Sequence, residues 1–205
     1  MSHHEPPPRR LVVAITGATG AIFGVRMLER AREFEGLETH LVVSGWGART
    51  LEHETPYRVA DLHRLADVVH KPGDQAATIS SGSFLTEGMV IAPCSVKTVA
   101  AIANGLAGDL VSRAADVVLK ERRRLVLLVR EAPLSEIHLE NLLKLARMGA
   151  SIVPPVPAFY NAPRTIDDLV DHVVTRALDQ FGLHSKATPR WDGELGRGGA
   201  GHTES

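Results

Sequence analysis

The sequence has little cysteine and almost no net charge. Its 205 residues include one cysteine, Cys94, so a disulfide within the chain is impossible and a cysteine-rich metal site is excluded. The 23 lysines and arginines nearly balance the 24 aspartates and glutamates. Because no long-range electrostatic field attracts a polyanion, we expect neither a nucleic acid nor an anionic membrane surface as a partner.

Long hydrophobic runs and metal-binding patterns are also missing. No apolar run approaches the roughly 18 residues of a membrane-spanning helix. The ten N-terminal residues are polar and lack the apolar core of a secretion signal. The ten histidines are scattered without the spacing of metal ligands. We therefore expect a cytoplasmic enzyme or binding protein that uses no metal and no membrane.

What the sequence does contain is an alternation of short apolar segments with helical patterns. The apolar segments, typical of buried strands, cover residues 11–15, 39–43, 88–92, 125–129 and 151–153. The helical patterns cover residues 21–28, 48–54, 96–104, 110–121, 135–148 and 165–181. The last helix is the clearest, because Thr165 and Asp168 form a capping-box pattern ahead of a regular apolar stripe.

This alternation predicts an α/β fold with a doubly wound parallel sheet, a Rossmann- or flavodoxin-like three-layer sandwich. The length fits a single domain with an ordinary core. We expect a polar N-terminal extension over residues 1–10, the α/β domain over 11–184, and a C-terminal tail over 185–205 that is loosely ordered unless a partner holds it.

A glycine turn, Thr16-Gly17-Ala18-Thr19-Gly20, joins the first strand to the first helix. A helix that begins there presents free N–H groups and the positive end of its dipole, which suits a phosphate. The dinucleotide fingerprint adds an acidic residue at the end of the second strand, where this sequence has Ser44. The turn therefore favours a mononucleotide such as FMN over NAD, although a plain turn that binds nothing remains an alternative.

Polar residues also follow two later strands. Ser95 opens a helix after one strand, and Arg130 and Glu131 directly follow another. Because the carboxyl ends of parallel strands meet at one edge of the sheet, these residues are expected to lie together. Arg130 suits a phosphate or a flavin carbonyl, and Glu131 suits proton transfer. The alternatives are an ordinary N-cap for Ser95 and a structural ion pair for the other two.

Other polar positions are less informative by pattern. Cys94 follows a buried strand and is interpreted as a small apolar filler. Lys120 lies in a charge run at a helix C-terminus, and Arg176 lies off the apolar stripe of the last helix, so the pattern alone favours solvated charges. Tyr160 lies in a proline-rich segment, where its side chain either lines a pocket or packs against neighbouring side chains.

Several longer blocks of the sequence, in order from Leu11 to about Trp191, resemble the UbiX/Pad-type flavin prenyltransferases. The members encoded beside non-oxidative hydroxyarylic acid decarboxylases are the most similar. The blocks are residues 16–21, 80–84, 92–95, 113–121, 130–134, 137–141 and 157–161.

The resemblance implies an enzyme that attaches a dimethylallyl group from dimethylallyl phosphate to reduced FMN, without a metal. It also implies that the product, prenylated FMN, is passed to a UbiD-like decarboxylase. The family forms dodecamers with the active site at a subunit junction, so we expect a homododecamer here.

The resemblance also assigns residues. It implies that FMN is held by Gly17, Ala18, Thr19, Ser44, Ser95, Val96, Lys97, Thr98 and Arg130. The residues that it assigns to the allyl phosphate are Arg113, Lys120, Tyr160, Arg176 and, from across a subunit interface, Glu54. It makes Glu131 the proton-handling group, with Lys120 and Arg130 as further catalytic residues.

Three other functions stay open at the level of sequence. A flavin-binding accessory subunit of a hydroxyarylic acid decarboxylase would bind the cofactor without transferring anything. A flavin- or NAD(P)-dependent oxidoreductase would use the same fold, although Ser44 speaks against NAD. A decarboxylase that acts alone is the third. The donor, monophosphate or pyrophosphate, and the aromatic acid of any partner are not set by the sequence.

Overall fold

The computed structural model describes residues 9–185. They form one six-stranded parallel sheet with strand order β3-β2-β1-β4-β5-β6. The strands are β1 (Arg9–Ile15), β2 (Leu37–Val43), β3 (Val68–His70), β4 (Gly88–Cys94), β5 (Arg124–Val129) and β6 (Ser151–Ile152). The helices are α1 (Ile22–Ala31), α2 (Gly45–Glu54), α3 (Val59–Leu65), α4 (Val96–Ala103), α5 (Leu110–Lys120), α6 (Glu136–Arg147) and α7 (Ile166–Asp179).

Both faces of the sheet are buried, because successive strand side chains point to opposite sides. In β1, Leu11 and Val13 join a core with α1, α2, α3 and α7. Val12 and Ala14 join a second core with α4, α5 and α6. The predicted three-layer, doubly wound α/β fold is therefore confirmed.

The strand order reverses beside β1, which pairs with β2 on one side and β4 on the other. The connections from β1 and β4 leave for opposite faces of the sheet, which opens a crevice at the carboxyl ends of these two strands. In sheets of this kind ligands bind in that crevice.

Three elements differ from the sequence-based expectation. Helix α3 and the edge strand β3 lie within residues 55–74, a polar, histidine-containing stretch for which neither a helix nor a strand was predicted. Helix α2 begins at Gly45, three residues earlier than predicted, because Ser44 caps it: the Gly47 N–H donates to Ser44 Oγ at 3.0 Å. The capping box of Thr165 and Asp168 on α7 is present.

Residues assigned to both ends of the chain take part in the folded domain. Strand β1 already includes Arg9 and Arg10, which were assigned to the N-terminal extension. Ser185, assigned to the tail, is buried and its hydroxyl donates to Glu33 Oε2 at 3.0 Å. The rest of the extension and of the tail lies outside the described residues. Within residues 9–185, every helix is too short or too polar to cross a membrane.

Candidate functional site

A cavity of about 660 Å³ opens at the crevice between β1 and β4. Ligand pockets in proteins typically have volumes of about 300–1,000 Å³. Its walls come from the segments that follow β1, β2, β4 and β5, and from the start of α5. The lining residues are Thr16, Gly17, Ala18, Thr19, Ser44, Gly45, Trp46, Arg49, Ser95, Val96, Lys97, Thr98, Ala101, Asp109, Ser112, Arg130 and Glu131.

The side chain of Thr16 connects the ends of β1 and β4, the two strands that flank the cavity, by hydrogen bonds. Its hydroxyl donates to the Pro93 carbonyl at 2.8 Å and accepts the Ser95 N–H at 2.9 Å. Thr16 is 2% exposed. This buried pair of hydrogen bonds fixes the position of the glycine turn after β1 relative to the start of α4.

Three helix N-termini line the cavity, and two of them, those of α2 and α4, have a serine cap. Ser44 caps α2, and Ser95 caps α4 by accepting the Thr98 N–H at 3.3 Å, with the Thr98 hydroxyl 3.0 Å away. Both serines are thus N-caps in the ordinary sense, and both still line the cavity. Backbone N–H groups and hydroxyls at such termini suit an anionic group.

Gly17 is required by the close approach of α2 as much as by any ligand. A Cβ atom at Gly17 would overlap the Cβ atom of Trp46, and one at Gly47 would lie 2.5 Å from the Ile15 carbonyl oxygen. The first turn of α2 therefore packs directly onto the end of β1. This contact sets Trp46, which is 66% exposed, at the wall of the cavity.

The N-terminus of α1 differs from the sequence-based expectation of an open phosphate site. The carboxylate of Glu54 accepts the Gly20 N–H at 2.8 Å and the Ala21 N–H at 3.2 Å. Burial alone raises the pKa of Glu54, but hydrogen bonds from Thr19, Gly20 and Ala21 outweigh it and lower that pKa below its usual value. A carboxylate of the same chain thus fills the place predicted for a phosphate.

Three cationic side chains line the cavity and form no salt bridge among the described residues. Within residues 9–185, the side chains of Arg49, Lys97 and Arg130 make no ion pair with a carboxylate. The structural ion pair considered for Arg130 and Glu131 is absent from this part of the chain. With Asp109 and Glu131 also in the lining, the cations exceed the acidic residues by one, which favours an anionic ligand.

The two acidic residues of the cavity are held in different ways. Asp109 Oδ1 accepts both the N–H and the hydroxyl of Ser112 at 2.8 Å, as the N-cap of α5. Within residues 9–185, the one hydrogen bond of Glu131 Oε1 is from the N–H of the next residue, Ala132, at 3.1 Å. Glu131 is consequently the carboxylate whose oxygens are more available to a proton donor in the cavity.

The residues assigned to an allyl phosphate do not line this cavity. On α5, Arg113 binds the Ser80 carbonyl and Asp116, and Lys120, at the far end of the helix, pairs with Glu121. The remaining two residues, Tyr160 and Arg176, lie on the α7 side of the molecule.

On that side, the Tyr160 ring lies edge-on to His172 with 5.8 Å between centroids, and Arg176 pairs with Asp179 at 3.0 Å. A single chain therefore carries three separate sets of predicted site residues: the cavity, the α5 pair of Arg113 and Lys120, and the α7 pair of Tyr160 and Arg176. Glu54 belongs to none of the three, since it caps α1.

Sequence reasoning missed several lining residues, among them Trp46, Arg49, Asp109 and Ser112. Trp46 and Arg49 follow Ser44 at the carboxyl end of β2, so the rule that ligands bind at strand ends would have found them. Asp109 and Ser112 begin α5, which no strand precedes directly, and only their capping pattern marks them.

Among residues 9–185, no three histidine, cysteine, aspartate or glutamate side chains come together as ligands of a metal ion would. Cys94 is fully buried, and burial raises the pKa of its thiol far above the usual range. A thiol in this state is inert, which agrees with its interpretation as an apolar filler.

The fold and the cavity together define a nucleotide-binding α/β protein with its site at the strand-order reversal. The sequence matches the family model described as Flavoprotein over residues 1–178. A probable UbiX-like flavin prenyltransferase of Streptomyces sp. (strain D7) is 66% identical over 184 residues, covering 90% of this chain and 92% of the relative.

Two crystal structures are similar in both fold and sequence. A dodecameric FMN-dependent UbiX-like decarboxylase from Escherichia coli O157:H7 is 60% identical with a TM-score of 0.88, covering 90% of this chain and all of that one. AnUbiX (PadA1), in complex with FMN and dimethylallyl pyrophosphate, is 53% identical with a TM-score of 0.89, covering 91% of this chain and 99% of that one.

The chain belongs to the Flavoprotein family and, within it, to the UbiX-like flavin prenyltransferases. The family predicted from the sequence blocks is thereby confirmed, and so is the enzyme class, a transferase.

Proposed function

We propose that this protein transfers a dimethylallyl group from dimethylallyl phosphate to reduced FMN, which is held in the cavity between β1 and β4. The observation that carries the proposal is the set of three cations, Arg49, Lys97 and Arg130, that line the cavity and form no salt bridge among the described residues. A flavin mononucleotide fits this lining, because its phosphate is an anion and its ring carbonyls accept hydrogen bonds. The cavity volume of about 660 Å³ suits a ligand of that size.

The residues that would hold FMN come from three strand ends. Gly17, Ala18 and Thr19 would approach it with their backbone, since a glycine turn allows close contact. The start of α2 at Ser44 would offer a helix N-terminus. The start of α4 would offer another, with Ser95, Val96, Lys97 and Thr98, and Arg130 would reach it from the end of β5.

The donor phosphate requires residues that one chain keeps away from the cavity. Arg113 and Lys120 on α5, and Tyr160 and Arg176 on the α7 side, are cations and a phenol of the kind that binds a phosphate. Their separation from the cavity supports an assembly in which neighbouring copies complete each site. We propose a homododecamer, the state of the similar Escherichia coli O157:H7 protein, with Glu54 near a subunit junction.

The chemical roles follow from charge. When the allyl carbon–oxygen bond breaks, negative charge grows on the phosphate oxygen, and Lys120 and Arg176 would stabilise it. Reduced flavin supplies the ring nitrogen and carbon to which the allyl group becomes bonded. The proton displaced from the ring nitrogen would leave with the phosphate. Glu131 would give a proton to the allyl double bond as the ring closes, and would then take up the proton released from the ring carbon, either directly or after the departing phosphate. Water must be kept out of the site, since it would compete for the allyl group.

The product and its destination are proposed on the same grounds. Prenylated FMN would be passed to a UbiD-like aromatic acid decarboxylase, which makes this protein a cofactor supplier in the cytoplasm. The alternative of an accessory subunit predicts bound flavin and no new adduct, so the two proposals differ in one measurable species.

Mass spectrometry of the bound flavin provides the test. After anaerobic incubation with reduced FMN and dimethylallyl phosphate, we expect a flavin heavier by one dimethylallyl group. A parallel incubation with dimethylallyl pyrophosphate identifies the preferred donor. Glu131→Gln and Lys120→Ala should bind FMN and form no adduct. Unmodified FMN with both donors would refute the transferase and favour the accessory subunit, and full turnover by both variants would refute their roles.

A further inference from the structure

We propose that Arg49 binds the phosphate of FMN and makes the cavity select phosphorylated flavin over riboflavin. This inference rests on the proposed function, because it takes FMN as the occupant of the cavity. Arg49 is assigned no role by the sequence blocks that resemble the family.

The N-terminus of α1 is not available to the phosphate. In this fold the glycine turn usually offers the start of the following helix to a phosphate. Here the Glu54 carboxylate accepts the Gly20 and Ala21 N–H groups at 2.8 and 3.2 Å. A dianion at that place would meet a carboxylate, so the phosphate must sit against another part of the wall.

The charged residues that follow β2 and β5 lie at opposite ends of the cavity. Arg49 follows β2, whereas Arg130 and Glu131 follow β5, and the strand order places β1 and β4 between them. Three strand spacings of about 4.8 Å separate these ends by about 14 Å. Because Glu131 repels a phosphate, the phosphate is favoured at the β2 end and the flavin ring at the β5 end. The cation at the β2 end is Arg49.

Arg49 is held in place by its helix and by a neighbouring ring. The first turn of α2 is fixed by the Ser44 cap and by the contact of Gly47 with the Ile15 carbonyl. Arg49 lies three residues after Trp46 on the same helix face, and its guanidinium carbon stacks 4.9 Å from the centroid of the Trp46 ring. Such stacking leaves the edge of the guanidinium free to donate two parallel hydrogen bonds to a phosphate.

The charge of the phosphate must also be balanced. In the part of the chain that the structure describes, the guanidinium of Arg49 has no carboxylate partner, although Arg26, Arg30 and Arg113 all have one. The phosphate of FMN carries nearly two negative charges at neutral pH, so one cation does not neutralise it. Lys97, at the start of α4, lines the same cavity and would supply the second positive charge.

Titration of Arg49→Ala with FMN and with riboflavin tests the inference. We expect the affinity for FMN to fall about tenfold, as for the loss of a charge-assisted contact, and the affinity for riboflavin to change less than about twofold. Arg49→Lys keeps the charge but loses the planar fork, so it should fall between Arg49→Ala and the wild type. The control is Arg64→Ala, which removes an exposed arginine of α3 and should leave both affinities unchanged.

The titrations of Arg49→Ala distinguish a contact with the phosphate from a packing role. If Arg49→Ala binds FMN as tightly as the wild type, the inference is wrong. If the affinities for FMN and riboflavin fall by the same factor, Arg49 acts through its packing on Trp46 and the assignment to the phosphate is also wrong. A wild-type protein that binds FMN but forms no prenyl adduct would overturn the proposed function alone. The ratio of the affinities for FMN and riboflavin would still test the role of Arg49.

Discussion

A single hydroxyl group, that of Thr16, joins the ends of the two strands that form the crevice. It donates to the Pro93 carbonyl and accepts the Ser95 N–H, and it is buried. No residue of similar size makes both hydrogen bonds except serine. The relative position of the two strand ends that line the cavity therefore depends on the Thr16 side chain.

Replacing Thr16 with valine tests this dependence. The shape is kept, but the buried Ser95 N–H loses its acceptor, so we expect a loss of about 1–3 kcal/mol in the free energy of unfolding. FMN affinity should also fall, since the start of α4 is no longer fixed. Urea denaturation and flavin titration measure the two effects. Thr16→Ser retains the hydroxyl and should recover most of the FMN affinity, and an equal loss in both variants would contradict this role.

Gly82 offers a second test at the scale of one residue. A Cβ atom there would overlap the Glu121 carboxylate and lie 2.8 Å from Lys120 Nζ. Both neighbours are the far ends of flexible side chains, so Gly82→Ala should change the free energy of unfolding by less than about 1 kcal/mol. It should nevertheless lower kcat/KM about tenfold, because Lys120 is displaced.

The matched comparison for Gly82 is Gly47→Ala. There the added Cβ would lie 2.5 Å from the Ile15 backbone carbonyl, which cannot move aside. We expect that variant to lose about 1–3 kcal/mol in the free energy of unfolding. Equal stability losses in the two variants, or unaltered prenylation in Gly82→Ala, would contradict the account.

At the scale of elements, the sheet could be predicted only where its strands are long or follow a pattern. Strands β1, β4 and β5 are continuous apolar runs, which is typical of strands buried on both faces. Strand β3 has three residues and is partly exposed, too short for any periodicity. It is held by tertiary contacts with β2, which no local pattern encodes.

The site shows the same division between local and long-range information. The rule that ligands bind at strand ends predicts Gly17, Ser44, Ser95 and Arg130. It does not predict Glu54, because a side chain 34 residues away reaches the Gly20 N–H only once α2 is folded against β1. For that reason the expectation of an open α1 terminus was wrong.

The contact between β2 and β3 has a consequence for the dependence of stability on pH. His40 Nδ1 lies 2.9 Å from His70 Nε2, and the two rings stack with 5.2 Å between centroids. Burial, with a smaller effect of the His40 charge, lowers the pKa of His70 below 6.5, although Asp74 opposes the shift. The unfolded chain thus binds a proton at a higher pH than the folded chain does.

We therefore expect the His70 contribution to be complete above pH 6.5 and to be lost as the pH falls towards the lower pKa of the folded state. His70→Gln keeps a donor for His40 but cannot titrate, so its free energy of unfolding should change less between neutral and mildly acidic pH. Denaturation at several pH values measures this. The control is His63→Gln, on the exposed side of α3, and an unaltered pH slope in His70→Gln would contradict the expectation.

At the scale of the whole molecule, a single chain leaves several large apolar side chains of helix α6 exposed. Helix α6 buries only Leu145 among residues 136–147, while Ile137, Leu139 and Leu143 are exposed by 67%, 53% and 51%. Exposed apolar side chains grouped on one element are typical of an interface with another chain. We therefore propose that this helix lies between copies in the assembly.

Ile137→Glu tests the assembly. A charge on this face would be buried without a partner, so the variant should sediment as a smaller species in analytical ultracentrifugation. It should still bind FMN, because the cavity lies within one chain, and it should lose prenylation, because the donor site would be incomplete. A particle of wild-type size, or loss of FMN binding together with assembly, would count against this account.

The most direct measurement is subunit complementation, since the central claim is that the flavin site of one copy works with Lys120 of another. Glu131→Gln and Lys120→Ala chains, each expected to be inactive alone, are co-expressed with different tags and the mixed particles are isolated. If the two residues act from different chains, random mixing gives about a quarter of the sites an intact pair, and adduct formation should recover to about that fraction. Mixed particles that bind FMN but remain as inactive as the separate variants would contradict a shared site.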